Sequence, residues 1–323
     1  MTSVKSLLAP VDEDLRQLAE NLKQLIGARH PILGAAAEHL FGAGGKRLRP
    51  ALVLLVARAT TDNGDVTQRH RRLAEITEMI HTASLVHDDV VDEAALRRGA
   101  PTVNGLFDNR VAILAGDYLF AQSSWYLANL DNLAVVKLLS EVIRDFAEGE
   151  IQQGLSQFDL DLTIEAYLEK SYYKTASLMA NSIKASALLS DASLELAESL
   201  YRYGKHFGLA FQIVDDILDF TATQEVLGKP VGSDLASGNL TAPTLYALEE
   251  ASALAALIDR EFTEAGDLEL ALKLVLESNG VDRARELATC HGKLAIEALQ
   301  ELPDSEARQA LSDLADYQLR RLY

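Results

Sequence analysis

Apolar side chains recur at intervals of three and four along most of the chain, the period of a helix with one buried face. Leu15, Leu18, Leu22, Leu25 and Ile26 form one such stripe, and residues 52–56, 73–91 and 111–130 read as buried helical segments. Ala and Leu dominate an apolar content of 48% while aromatics are only 6%, a composition that favours helices over sheets. The expectation is an all-α fold with roughly ten to thirteen helices in one large domain, residues 1–323. Gly and Pro gather at 42–50, 97–105 and 228–238, which read as the main loops, with a shorter one at 61–65. The prolines at 10, 31, 50, 101, 230, 243 and 303 stand as punctuation. In the second half, helices are expected at 132–158, 163–190, 193–220, 242–257, 281–301 and 304–321.

A net charge of −18 repels a nucleic-acid backbone, and no long basic run offsets it. The single cysteine, Cys290, excludes an intrachain disulfide and a multi-cysteine metal site; its expected role is packing in a reducing compartment. The N-terminus turns acidic at Asp12 with no long apolar core, and no apolar run reaches the about 18 residues needed to cross a bilayer. A cytoplasmic protein is expected.

Two acidic clusters repeat one spacing: Asp88, Asp89 and Asp92 in H-D-D-V-V-D, and Asp215, Asp216 and Asp219 in V-D-D-I-L-D. At about 100° per residue, positions i, i+1 and i+4 share one helix face, so each triad is a patch of like charge. Such a patch costs stability unless a cation lies against it. Mg²⁺ takes oxygen ligands and commonly uses one or two carboxylates together with substrate phosphates. Both triads have apolar flanks, which sets them apart from solvated helix ends, so the pair points to metal–phosphate chemistry with two or three Mg²⁺ ions.

Basic residues collect in the glycine-interrupted loops: Lys46, Arg47 and Arg49 after Gly44-Gly45, Arg97 and Arg98 after the first triad, and Lys229 after the second. Arginine offers a planar fork to phosphate oxygens and lysine a point charge. In an acidic chain this placement reads as anion sites, with Arg47 taken as a surface charge.

These motifs resemble those of the trans-prenyl diphosphate synthases, in particular the long-chain, solanesyl diphosphate synthase-like group. The resemblance is carried by G-G-K-R-L-R-P (44–50), E-M-I-H-T-A-S-L-V-H-D-D-V-V-D (78–92), L-R-R-G-A-P-T-V-N (96–104), Y-K-T-A (173–176), F-Q-I-V-D-D-I-L-D (211–219) and G-K-P-V-G-S-D-L (228–235). It implies an isoprenoid-synthase helical bundle around a central cavity, a homodimer, and two Asp motifs facing each other. It also implies that Asp88, Asp89, Asp92 and Asp215 bind Mg²⁺ on an allylic diphosphate (geranyl, farnesyl or geranylgeranyl), with Asp216 and Asp219 less directly engaged. Arg97, Lys174 and Lys229 would neutralise that diphosphate, and Lys46, Arg49, His81 and Arg98 would hold isopentenyl diphosphate. Many members carry a lysine in the loop after the second motif, where this chain has Gly238-Asn239.

The implied reaction is chain elongation: the allylic diphosphate ionises, isopentenyl diphosphate attacks the cation, and a proton is lost. Charge on the leaving diphosphate is what the protein must stabilise, so no nucleophile is needed. Side-chain oxygens of Thr175 and Gln212 are candidates for facing the cation, or else ordinary polar packing residues. Ile76, Ile80, Ala83 and Ser84 form a stripe on the helix of the first triad. Family members gate chain length just before that triad, so small residues at 83 and 84 imply a product of about C40–C50, with C45 favoured. The helix carrying Leu119, Phe120 and Trp125 is a candidate floor, with Trp125 equally readable as core. Release of so apolar a product implies peripheral contact with a membrane. Other chemistries fit less well. Glu78 and His81 form only one half of a di-iron E-x-x-H pair. His87-Asp88 as a phosphohydrolase motif leaves the second triad unexplained. A terpene cyclase or a non-catalytic partner subunit would be expected to have lost or altered a triad.

Overall fold

The computed structural model describes residues 4–25, 30–42, 47–97, 99–223 and 230–322, with the backbone alone at 37 and 38. Lys46, Arg98 and Lys229 therefore lie outside the described residues. The first eleven helices are α1 (Val4–Leu7), α2 (Asp12–Leu25), α3 (Pro31–Gly42), α4 (Leu48–Thr60), α5 (Gln68–Val91), α6 (Val103–Leu106), α7 (Asn109–Ala128), α8 (Leu133–Leu155), α9 (Ile164–Ser171), α10 (Ser177–Leu189) and α11 (Leu194–Thr221). Helices Ser233–Ala236, Ala242–Leu248, Ser252–Asp259, Asp267–Glu277, Gly280–Glu297 and Glu306–Arg320 follow. The sheet among the described residues is one hairpin, β1 (Leu96–Arg97) paired antiparallel with β2 (Ala100–Pro101). The all-α expectation holds.

Several boundaries depart from the sequence reading. The stretch expected as one helix at 242–257 breaks at Glu249–Ala251, and Asp267–Glu277 is a helix that the reading passed over. The span 163–190 is interrupted by a π-helical turn, Tyr172–Ala176. Loop 97–105 contains the hairpin and α6, and loop 228–238 contains Ser233–Ala236. Pro31, Pro50 and Pro243 stand in first turns, where a missing N–H costs nothing.

Contacts divide the chain into two compact units. The first comprises Met1–Ile143, Asn181–Tyr201 and Leu299–Leu314; the second comprises Arg144–Ala180, Arg202–Ala298 and Ala315–Tyr323. In the first, α4 is buried on every side from Pro50 to Ala57, which explains its unbroken apolar run. Helix α5 packs beside it and opens with a reciprocal cap. Thr67 accepts from the backbone N–H of His70, and His70 Nδ1 accepts from that of Thr67. The proton therefore sits on His70 Nε2, which donates to the carbonyl of Ser186 at 3.2 Å. Burial pushes the His70 pKa down, so the ring stays neutral. A smaller cluster, Val86, Val103, Ala112 and Ala115 with Ala36, joins α5 to α7.

The second unit is built around α11, whose Ile213, Val214, Ile217 and Phe220 pack with Tyr167, Leu245 and Leu257. Gly204 and Gly208 let α11 approach the start of α10 closely: a Cβ at Gly208 would lie 2.6 Å from Cα of Ala176. Among the described residues, no helix is long and apolar enough to cross a membrane. Cys290 is exposed, so the packing role expected for it is wrong: its helix, Gly280–Glu297, turns Ala284, Ala288 and His291 inward instead. Trp125 is likewise no core residue, being 61% exposed on α7.

Candidate active site

In the first unit, α5 ends on the first Asp motif. Its apolar positions Ile76, Ile80 and Ala83 are fully buried, and half-buried Ser84 turns its hydroxyl back to the carbonyl of His81 at 2.9 Å. One turn further on, Asp88 is half-buried, Asp92 is exposed and Asp89 is buried between them. Asp89 is paired with the hairpin: Nε of Arg97 donates to its Oδ1 at 2.7 Å. Desolvation raises the Asp89 pKa, against the opposing pull of the Arg97 guanidinium. Arg97 reaches this position because the hairpin reverses at Gly99, whose φ of +77° suits glycine. Asn104 then donates to the carbonyls of Ala94 and Asp89, and Thr102 to that of Ala94, so L-R-R-G-A-P-T-V-N folds back onto the triad. Among the described residues the Nη atoms of Arg97 hold no partner, leaving its fork open to an anion.

Arg49 and His81, far apart in sequence, meet: Nη1 of Arg49 donates to Nε2 of His81 at 3.1 Å. His81 thereby carries its proton on Nδ1, and Arg49 is held in place by a neutral ring. His87 is already committed elsewhere. Its Nε2 lies 3.1 Å from the carbonyl of Ile113, its ring meets Phe120 edge-on, and Gly116 leaves it room on α7.

In the second unit, α11 carries the other triad, which differs in its third member: Asp219 is buried where Asp92 is exposed. Asp215 is the accessible member, its side chain 38% exposed, and Arg321 Nη2 lies 2.8 Å from its Oδ1. Asp216 and Asp219 are buried and satisfied by the protein. Asp216 accepts from the hydroxyl of Tyr167 and from Nε2 of Gln212. Asp219 accepts from the Ser233 hydroxyl and the Asp234 backbone N–H. Desolvation, then repulsion from Asp234, pushes the Asp216 pKa up to about 7. Thr175, in the π turn, donates to Oε1 of Gln212 at 2.7 Å, so Thr175, Gln212, Asp216 and Tyr167 form one chain of hydrogen bonds. Lys174 Nζ lies 2.6 Å from Oε2 of Glu150. π turns concentrate at functional positions, and this one places Lys174 and Thr175 on adjacent faces.

The accessible members of each motif, Asp88 and Asp92 in the first unit and Asp215 in the second, are carboxylates, the ligand type that hard divalent cations take. Among the described residues no three His, Cys, Asp or Glu side chains converge on one point. One or two carboxylates of either motif suit Mg²⁺ better than a metal that needs an all-protein cage, because Mg²⁺ keeps waters and phosphate oxygens in its shell.

Residues 30–275 match the polyprenyl synthetase family, a span that takes in both Asp motifs and the Arg49–His81 pair. The chain belongs to that family. It is 68% identical to a prenyl transferase of Synechocystis over all of both chains, and 55% identical to the chloroplastic solanesyl-diphosphate synthase 2 of Oryza sativa, covering 99% of this chain and 80% of that one. In three dimensions it resembles a decaprenyl diphosphate synthase from Rhodobacter capsulatus with a TM-score of 0.93, at 36% identity over 99% of this chain and 100% of that one. A polyprenyl synthase from Caulobacter crescentus, complexed with calcium and isoprenyl diphosphate, gives 0.91 at 34% identity, over 99% and 98% of the two chains. As a polyprenyl synthetase the chain is a trans-prenyltransferase, and the family works with divalent metal ions and isoprenyl diphosphates.

The sequence reading gave no role to Tyr167, Lys170, Ser233, Asp234 and Arg321, and noted Asn239 only as standing where many family members carry a lysine. Tyr167 and Lys170 had one available signal: they stand a helical turn or two before Y-K-T-A. Arg321 had none, since its partner Asp215 lies far away in sequence.

Proposed function

We propose that this chain is a long-chain trans-polyprenyl diphosphate synthase. It extends an allylic diphosphate with isopentenyl diphosphate to about C40–C50, with C45 favoured. The observation that carries the reading is the retention of both Asp motifs with accessible carboxylates, Asp88 on α5, Asp92 just past its end and Asp215 on α11. A cyclase or an inactive partner subunit has no use for both.

In this reading Asp88, Asp92 and Asp215 would hold Mg²⁺, which when bound would supply positive charge to offset that of a diphosphate. Asp89, Asp216 and Asp219 support the accessible members from behind, and Arg97 and Lys174 neutralise the allylic diphosphate. Arg49 and His81 act as a unit on isopentenyl diphosphate. Thr175 spends its proton on Gln212, so its hydroxyl offers lone pairs, not a proton, to a passing cation. Lys46, Arg98 and Lys229 complete the anion contacts by resemblance.

The same reading makes residues 1–323 one synthase domain, which the family match running through both units supports. It also makes the protein a cytosolic homodimer. Exposed Ile113, Leu114 and Trp125 give α7 an apolar face suited to a second copy. Each added five-carbon unit is worth roughly 4 kcal/mol of burial, so late intermediates stay bound and a lipid surface speeds release. The test is incubation with Mg²⁺, labelled isopentenyl diphosphate and farnesyl or geranylgeranyl diphosphate, followed by chromatography of the products. Mg²⁺-dependent incorporation into C40–C50 products is expected; no incorporation overturns the reading.

A further inference from the structure

Lys170 stands in the last turn of α9, 5% exposed, and no step assigned above uses it. Burying an ammonium is costly unless it is fully paired. Among the described residues its one hydrogen bond goes to a neutral group, Oδ1 of Asn239, at 2.7 Å. Asp216 acts on it favourably through space, as do Asp234 and Glu150, while Lys174 opposes it. Asn239 is itself fixed: its backbone N–H donates to the carbonyl of Asp234 at 2.9 Å, and the preceding Gly238, at φ +77°, gives its carbonyl to the N–H of Phe158. An ammonium can only donate, so it dictates which end of the Asn239 amide faces inward. Oδ1 is taken by Lys170, and Nδ2 points away with no partner among the described residues. Asn239 is half-buried, so that donor is open.

We infer that Lys170 is a positioning residue of the reaction proposed above: through Asn239 it presents a fixed, polarised N–H donor to a diphosphate oxygen beside the second Asp motif. A position with a neutral side chain, Asn239, thus acquires anion affinity from a lysine on α9. The inference rests on the synthase reading, and the ligand class is a diphosphate.

The test titrates inorganic pyrophosphate with Mg²⁺ into the full-length protein by calorimetry, beside steady-state kinetics with isopentenyl and farnesyl diphosphates. Asn239→Asp keeps an acceptor for Lys170 but removes the donor. Pyrophosphate affinity should fall about tenfold or more, and KM for farnesyl diphosphate should rise in step, with no loss of thermal stability. Lys170→Met and Asn239→Ala should each cost about tenfold, and their combination no more than either alone, because they act in series. Combining Lys170→Met with Asn239→Lys should bring affinity back to within about threefold of the parent. Wild-type pyrophosphate affinity in Asn239→Asp, or additive losses in the double variant, would assign Lys170 to loop structure alone and overturn the inference. An unaltered protein that fails to elongate would instead end the synthase reading, and the pyrophosphate titrations would still decide the role of Lys170.

Discussion

Arg321, two residues from the end of the chain, lies 2.8 Å from Asp215, the one accessible carboxylate of the second Asp motif. It also sits over the ring of Phe211 at 5.6 Å and donates to Oε1 of Gln318 at 3.0 Å. A cation from the last turn thus competes for the carboxylate that Mg²⁺ is proposed to use. The pair is partly exposed and worth at most about 1 kcal/mol. Arg321→Ala should therefore lower the Mg²⁺ concentration for half-maximal activity by about two- to fivefold. A Mg²⁺ titration of initial rate checks this, and an unchanged midpoint would separate the ion pair from metal binding.

Ala83 and Ser84 are the small residues a helical turn before the first Asp motif. Replacing either with Phe adds bulk to a stretch where Ile76, Ile80 and Ala83 are already fully buried. Ala83→Phe has no free space and should cost about 1–3 kcal/mol of stability as well. Ser84→Phe, at a half-buried position, is the cleaner probe. It should shorten the product by two or more isoprene units while the first condensation keeps its rate, as product chromatography would show.

His206 and His291 face each other with their Nδ1 atoms 2.9 Å apart, so one donates and the other accepts. Burial, then the neighbouring His206 and Lys205, pulls the His291 pKa down to about 4. The folded protein keeps His291 neutral, whereas the unfolded chain protonates it near its ordinary value of 6.5. The stability it contributes is complete above pH 6.5 and is lost as pH falls from there towards 4, amounting to about 3 kcal/mol. His291→Gln should flatten the dependence of melting temperature on pH across that window, relative to the parent measured alongside it.

Gly208 allows α11 to pass 2.6 Å, counted from a notional Cβ, from Cα of Ala176 in the π turn. Because the obstacle is backbone, Gly208→Ala cannot be absorbed by a rotamer change and should cost about 2 kcal/mol. It should also disturb Thr175, next to Ala176, and so lower kcat more than a stability loss alone explains. Comparing kcat well below the melting transition separates the two effects.

The Asp motifs were legible because the spacing i, i+1, i+4 converges on a helix whatever surrounds it. The helical class was legible for the same reason, as was the placing of Pro31, Pro50 and Pro243 at helix starts. The division of labour within each triad was not. Buried Asp89 and Asp216 are paired with Arg97 and Tyr167, and nothing in D-D-x-x-D distinguishes those positions from their neighbours. Arg49 and His81 could be paired only by resemblance, since their meeting depends on how α4 lies beside α5. Cys290 was misjudged, and the core alternative for Trp125 failed, because residue type sets a preference for burial while helix phase decides it. Lys170 was invisible because its partner is a neutral asparagine, which no charge pattern reveals.

The π turn at Tyr172–Ala176 holds about one residue more than an α-helical turn. Removing a single residue there would restore regular winding and swing everything upstream in α9 by about 100° around its axis. Tyr167 would leave Asp216 and Lys170 would leave Asn239, although no side chain at any of those places had changed. In this segment residue count sets angular phase, so a one-residue gap is a graver lesion than most substitutions within it.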